Sequence, residues 1–142
     1  MIGTRSLGAL QGGGSAIDIA TPSIRVVLRN MVIVPLTTAP GVDGIFVSAS
    51  AALSLENCLI SGLPGTGIVV NAQSASLRVV DSTIQGNLYG IWLEGGARAV
   101  IARANIGYNG DAAVVLVGSG ANETKADIAY STLHQNKYGP VA

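Results

Sequence analysis

With 142 residues, 49% of them apolar and only 11% charged, and with 19 glycines, the chain has the material of one strand-and-turn domain and is too apolar for a disordered segment. Its eight basic and eight acidic side chains give a formal net charge of zero and are scattered singly, so no basic run is present to neutralise nucleic-acid phosphates. One cysteine and one histidine exclude an intrachain disulfide and a Cys/His zinc set, and apolar runs such as Ala112 to Val117 are too short to span a bilayer as a helix.

Residues 1–15, MIGTRSLGALQGGGS, carry no helical periodicity and read as an N-terminal segment or partial coil. Arg5 is followed by Gly8, Gln11 and Gly12 to Gly14 instead of an apolar run, so no signal peptide is expected. From residue 16 to residue 142 the reading is one domain of short strands. Ile17 and Ile19 alternate around Asp18, a turn follows at Ala20 to Ser23, and Val26 and Leu28 alternate into Asn30 before Met31 and Ile33 close the unit.

That unit repeats. Gly44-Ile45-Phe46-Val47, Gly67-Ile68-Val69-Val70, Gly90-Ile91-Trp92-Leu93 and Ala113-Val114-Val115-Leu116 begin 23 residues apart each time, whereas Ile33, Ile60, Ile84, Ile106 and Leu133 recur at steps of 27, 24, 22 and 27. Strands are kept while turns vary, as in a solenoid. Aligned on the isoleucines, the middle strands give two apolar columns expected to face inward. One is Val26, Leu53, Leu77, Ala99 and Ala126, and the other is Leu28, Leu55, Val79, Ile101 and Ile128. A corner column follows, made of Asn30, Asn57, Asp81, Arg103 and Tyr130, with one phase break in the alternation, which gives a triangular coil of three short strands. Gly44, Gly67 and Gly90 precede the first strand at a turn, where a residue without Cβ permits positive φ or a close backbone approach.

Asn57-Cys58-Leu59-Ile60-Ser61-Gly62, Asp81-Ser82-Thr83-Ile84-Gln85-Gly86-Asn87 and the Gly-Ile-aromatic-aliphatic strands after them resemble the right-handed parallel β-helix proteins of the pectate-lyase-like kind. The resemblance covers residues 16–142 and implies an all-β, single-domain, right-handed parallel β-helix of about five to six coils. It is specific for architecture and not for activity, because the family includes polysaccharide lyases and hydrolases, phage tail proteins and surface proteins. It also implies an extracellular or cell-surface setting. Asn30 and Asn57 look like the start of that family's asparagine ladder; Asp81, Arg103 and Tyr130 depart from it, which limits the ladder to two rungs.

No residues assemble into a catalytic set by spacing. Cys58 and His134 belong to coils three steps apart, about 14 Å along the axis, where a nucleophile and its base need contact. Cys58 falls in an inward column and reads as structural, and His134 as a surface residue. Asp43 and Asp111 are again about 14 Å apart, and Asp18 and Asp43 about 11 Å because their registers differ by three. Glycoside hydrolysis requires carboxyls roughly 5 to 9.5 Å apart. Turn chemistry explains these aspartates better, and no catalytic residue, metal or cofactor is expected. Arg29 with Glu56, and Asp81 with Arg103, read as adjacent-coil surface ion pairs. Asn122-Glu123-Thr124 has the form of a glycosylation acceptor, within a loop read at Gly118 to Lys125.

The outward column of the first strand is the most informative surface. It runs Asp18, Phe46, Val69, Trp92, Val115 and Val141, where a solvated strand face would be polar. The expected function is a non-catalytic structural or interaction module that associates with itself through this stripe or through open strand edges, a homo-oligomer with no nucleic-acid partner and no membrane insertion. The alternative is a carbohydrate-binding or carbohydrate-cleaving protein with Phe46, Trp92 and Tyr89 as stacking platforms, or a piece of a longer solenoid.

Overall fold

The computed structural model of the chain describes residues 6–7, 14–35, 42–118 and 120–142. The signal-peptide expectation rests on Arg5, Gly8, Gln11 and Gly12 to Gly14, all of which except Gly14 lie outside the described residues. In chain order the strands are β1 (Ser6–Leu7), β2 (Ser15–Ile19), β3 (Arg25–Arg29), β4 (Val32–Ile33), β5 (Asp43–Val47), β6 (Ala52–Glu56), β7 (Leu59–Ser61), β8 (Thr66–Asn71) and β9 (Ser76–Val80). They continue as β10 (Thr83–Gln85), β11 (Tyr89–Glu94), β12 (Arg98–Ala102), β13 (Asn105–Gly107), β14 (Ala112–Val117), β15 (Lys125–Ala129), β16 (Thr132–His134) and β17 (Tyr138–Val141).

Each strand pairs with the strand three places away in sequence, always in parallel, so the chain winds as a three-sided β-solenoid. The first sheet holds β2, β5, β8, β11, β14 and β17; the middle sheet β3, β6, β9, β12 and β15; the closing sheet β1, β4, β7, β10, β13 and β16. The apolar columns read from the sequence are true registers. Leu28, Leu55, Val79, Ile101 and Ile128 are consecutive Cα partners, as are Ile33, Ile60, Ile84, Ile106 and Leu133. No single coil encloses these side chains, but stacking buries Ile60, Ile84 and Ile106 completely in one continuous core.

The corner between middle and closing strands depends on a left-handed residue in every coil. Asn30, Asn57, Asp81, Arg103 and Tyr130 all have φ between 50° and 55°, a conformation that Asn and Asp accept more readily than bulkier residues. Asn57 Nδ2 donates to Asn30 Oδ1 at 2.7 Å, the two expected rungs. Beyond them the corner is held by charge, with Arg103 Nε and Nη2 donating to the two Asp81 oxygens at 2.7 and 3.0 Å.

A second ladder, not read from the sequence, runs at the corner between closing and first strands. Asn109 Oδ1 accepts from the Asn87 backbone N–H at 3.1 Å, and Asn109 Nδ2 donates to Asn136 Oδ1 at 2.8 Å. Asn136 Oδ1 also accepts from the Asn109 backbone at 3.1 Å, and Asn87 Oδ1 from Leu63 N at 3.0 Å. Asn87 and Asn109 are buried, so these amides satisfy corner backbone groups that water does not reach. The glycine column before the first strand is needed for close approach: a Cβ on Gly44 or Gly90 would lie 2.4 Å from the carbonyl oxygen of the next coil.

Candidate interaction surface

The outward face of the first sheet is shaped by that glycine column. The side-chain position of Gly90 points inward, toward Ile106 and Asn109, and Ile91 and Leu93 are fully buried. Two consecutive inward positions break the two-residue alternation, so Tyr89 and Trp92, three apart, share the outer face. The stripe lies in one register: Asp18 pairs with Phe46, Phe46 with Val69, Val69 with Trp92, Trp92 with Val115, and Val115 with Val141. Phe46, Val69, Trp92 and Val115 are half-buried on the sheet surface and Val141 is exposed, which leaves a low apolar ridge across five strands.

Trp92 is held in place within the ridge. Its ring meets that of Tyr89 edge to face, with centroids 5.1 Å apart, and its Nε1 donates to Glu94 Oε2 at 3.2 Å. The Asp111 carboxylate raises the Tyr89 phenol above the ordinary tyrosine value, first through hydrogen bonding that favours the protonated hydroxyl and then because a second negative charge beside it is unfavourable. Lys137 Nζ lies 3.9 Å from Asp111 Oδ1 and 5.0 Å from the Tyr138 ring centroid. Oδ1 of Asp111 has no hydrogen-bond partner among the described residues.

The other candidates are kept apart by the fold. Cys58 is buried, its Sγ donating to the Leu28 and Glu56 carbonyls at 3.4 Å, while His134 is on the closing sheet. His134 is more engaged than a solvated surface residue: Nε2 lies 2.7 Å from Asn105 Oδ1, and the ring packs edge to face on Tyr108. Asp43 Oδ1 accepts from the Thr66 backbone at 2.7 Å, which is turn chemistry. Asp18 pairs with Phe46 whereas Asp43 pairs with Ser15, the three-residue offset expected from the sequence. Among the described residues no three His, Cys, Asp or Glu side chains group as metal ligands, and no helix is long and apolar enough to cross a membrane.

The ion pairs form as spaced. Arg29 Nε is 2.6 Å from Glu56 Oε2, and Arg78 adds a longer contact at 3.4 Å. Arg29 holds the Glu56 carboxyl below its usual value, and Arg103 does the same for Asp81. What the sequence conceals is how charge distributes over the faces. Arg25, Arg29, Arg78, Arg98 and Lys125 all lie on middle-sheet strands, against Glu56 and Asp127. The first sheet and the turns entering it carry Asp18, Asp43, Glu94 and Asp111, against Lys137.

Residues 10–142 match the family described as a right-handed beta helix region. No curated protein and no solved structure matches the chain.

Proposed function

Because the chain belongs to the right-handed β-helix family, an architecture that fixes no activity by itself, we propose that it is a non-catalytic interaction module whose contact surface is the outer face of the first sheet, and that it associates with itself there. The observation that carries this reading is the unbroken register of Phe46, Val69, Trp92 and Val115 on a face that would alternate to polar if solvated. The indole is pre-positioned by Tyr89 and Glu94, which lowers the ordering cost of burying it.

Magnitudes define what the stripe contributes. Full burial of such a side chain is worth about 1.5 to 3 kcal/mol, and these four are already half-buried, which leaves roughly 3 to 6 kcal/mol in all. Association costs about 4 kcal/mol at the least. The stripe therefore places the contact, and flanking residues must add to it. Sedimentation equilibrium at about 50 μM, where an interface of roughly micromolar to ten-micromolar Kd is populated, tests the reading. Trp92→Glu is expected to abolish association, and Thr132→Glu on the closing sheet to preserve it. A purely monomeric parent protein, or equal association of both variants, contradicts it.

A second reading draws on the Tyr89–Trp92 pair, a rigid aromatic platform with Glu94 and Asp111 beside it, and takes a sugar ring as the ligand. Titration of Trp92 emission with neutral and acidic oligosaccharides tests it; saturable change supports a sugar, and none excludes it.

A further inference from the structure

We propose that the surface received by the apolar stripe is the middle sheet of a second copy, so that copies stand side by side with parallel solenoid axes, first sheet against middle sheet. This deepens the reading of the stripe as a contact surface and rests on it.

The two faces match in charge and in spacing. On the middle sheet Arg25 and Arg98 are exposed and occupy one outward column, linked by the pairings Arg25 with Ala52, Ala52 with Ser76 and Ser76 with Arg98. Among the described residues neither has an ion-pair partner, unlike Arg29, Arg78, Arg103, Lys125 and Lys137. On the first sheet Asp18 and Glu94 likewise belong to strands β2 and β11, three pairing steps apart. The coil repeat is common to all sheets, so both separations are about 14 Å along the axis. A second copy at the same height therefore brings Arg25 to Asp18 and Arg98 to Glu94 together. The carboxylates differ by two residues along the strand direction, roughly 6.6 Å, an offset that long arginine stems lying along apolar surface accommodate.

Beside the arginine column runs a second outward column, Val27, Ser54, Arg78, Val100 and Asp127. At equal height Val100, exposed at 49%, would face Trp92 of the ridge, and the stem of Arg78, whose head group is engaged with Glu56, would lie along Val69. Like faces do not match. Two first sheets bring carboxylates against carboxylates, and two middle sheets arginines against arginines, which discriminates against both two-fold arrangements. The resulting contact is heterologous and leaves one face of each copy free, so that copies form a ring or an open row.

Charge-swapped proteins test this. Arg25→Glu/Arg98→Glu makes both faces acidic, and Asp18→Lys/Glu94→Lys makes both basic. In sedimentation at low salt each double variant alone is expected to associate at least about tenfold more weakly than the parent protein, and their equimolar mixture to recover association. The parent is expected to weaken between about 0.05 and 1 M sodium chloride as the Debye length contracts to about 3 Å. If Arg25→Glu/Arg98→Glu associates as the parent does, the stripe pairs with another first sheet; the heterologous contact is then wrong while the stripe stands. A mixture that stays monomeric, with both variants retaining the strand circular dichroism of the parent, also overturns the proposal. A parent that is monomeric at every salt concentration overturns the underlying reading of the stripe.

Discussion

The rings of Tyr89 and Trp92 cross at 77° with centroids 5.1 Å apart, although a plain alternating strand would put residues three apart on opposite faces. Gly90 and Ile91, both directed inward, make the contact possible. Because Trp92 is the only tryptophan, its emission reports on Tyr89. Tyr89 is expected to ionise above the ordinary tyrosine value of about 10, held up by Asp111. Asp111→Asn removes the opposing charge, so the alkaline transition in Trp92 emission should move to lower pH. An unmoved transition would show that Asp111 does not act on Tyr89.

Asn109 links two coils by side-chain hydrogen bonds in a buried corner. Asn109→Ala leaves the Asn87 N–H without its acceptor and Asn136 Oδ1 without one donor, at about 1 to 3 kcal/mol for each buried group left unpaired. Urea denaturation should show this loss with little change in slope. Asn30→Ala, at an exposed rung of the other ladder, should cost less. The reverse order would mean that the buried ladder is not the main tie.

Ile84 stacks between Ile60 and Ile106 and is fully buried. Ile84→Ala should destabilise by about 2 to 5 kcal/mol through lost burial and the cavity left behind. A denaturation midpoint equal to that of the parent protein is incompatible with an inward isoleucine column.

Acid should weaken two of the exposed pairs in a defined direction. Glu56 and Asp81 have lowered folded-state values, so the folded state binds fewer protons at these sites than the unfolded chain does. Their contribution is present above the ordinary carboxylate range, about pH 4, and is lost as pH falls through the lower folded values. The stability difference between the parent and Arg103→Gln should therefore be constant near neutrality and shrink on acidification. A difference that grows as pH falls would show that the Asp81 value is not lowered by Arg103.

The core was legible because parallel stacking turns each recurrence in sequence into a spatial column. Ile33, Ile60, Ile84, Ile106 and Leu133 could be aligned by eye and are in fact hydrogen-bonded neighbours across strands. The outward stripe was legible for the same reason. The buried ladder was not: Asn87, Asn109 and Asn136 each lie three residues after Ile84, Ile106 and Leu133, but the column is broken in the preceding coil, where the place is taken up by Leu63, whose backbone supplies the last donor. A signal was nonetheless present in the Asn lying three or four residues before Gly90, Ala113 and Gly139. The sorting of charge was hidden too. Asp18 and Arg25 are seven residues apart in sequence, yet the turn between β2 and β3 places them on different faces. Scattering along the chain is therefore compatible with an acidic and a basic side on the folded molecule.

The central claim is that the Phe46–Val115 ridge is covered when the protein associates, and the emission of its single tryptophan during dilution tests it most directly. From about 50 μM down to about 50 nM, a range spanning micromolar dissociation, Trp92 emission should shift to longer wavelength in step with the fall in sedimentation-average mass, as the indole passes from an interface to water. Emission that stays constant while the mass falls would place the contact elsewhere on the molecule and contradict the account.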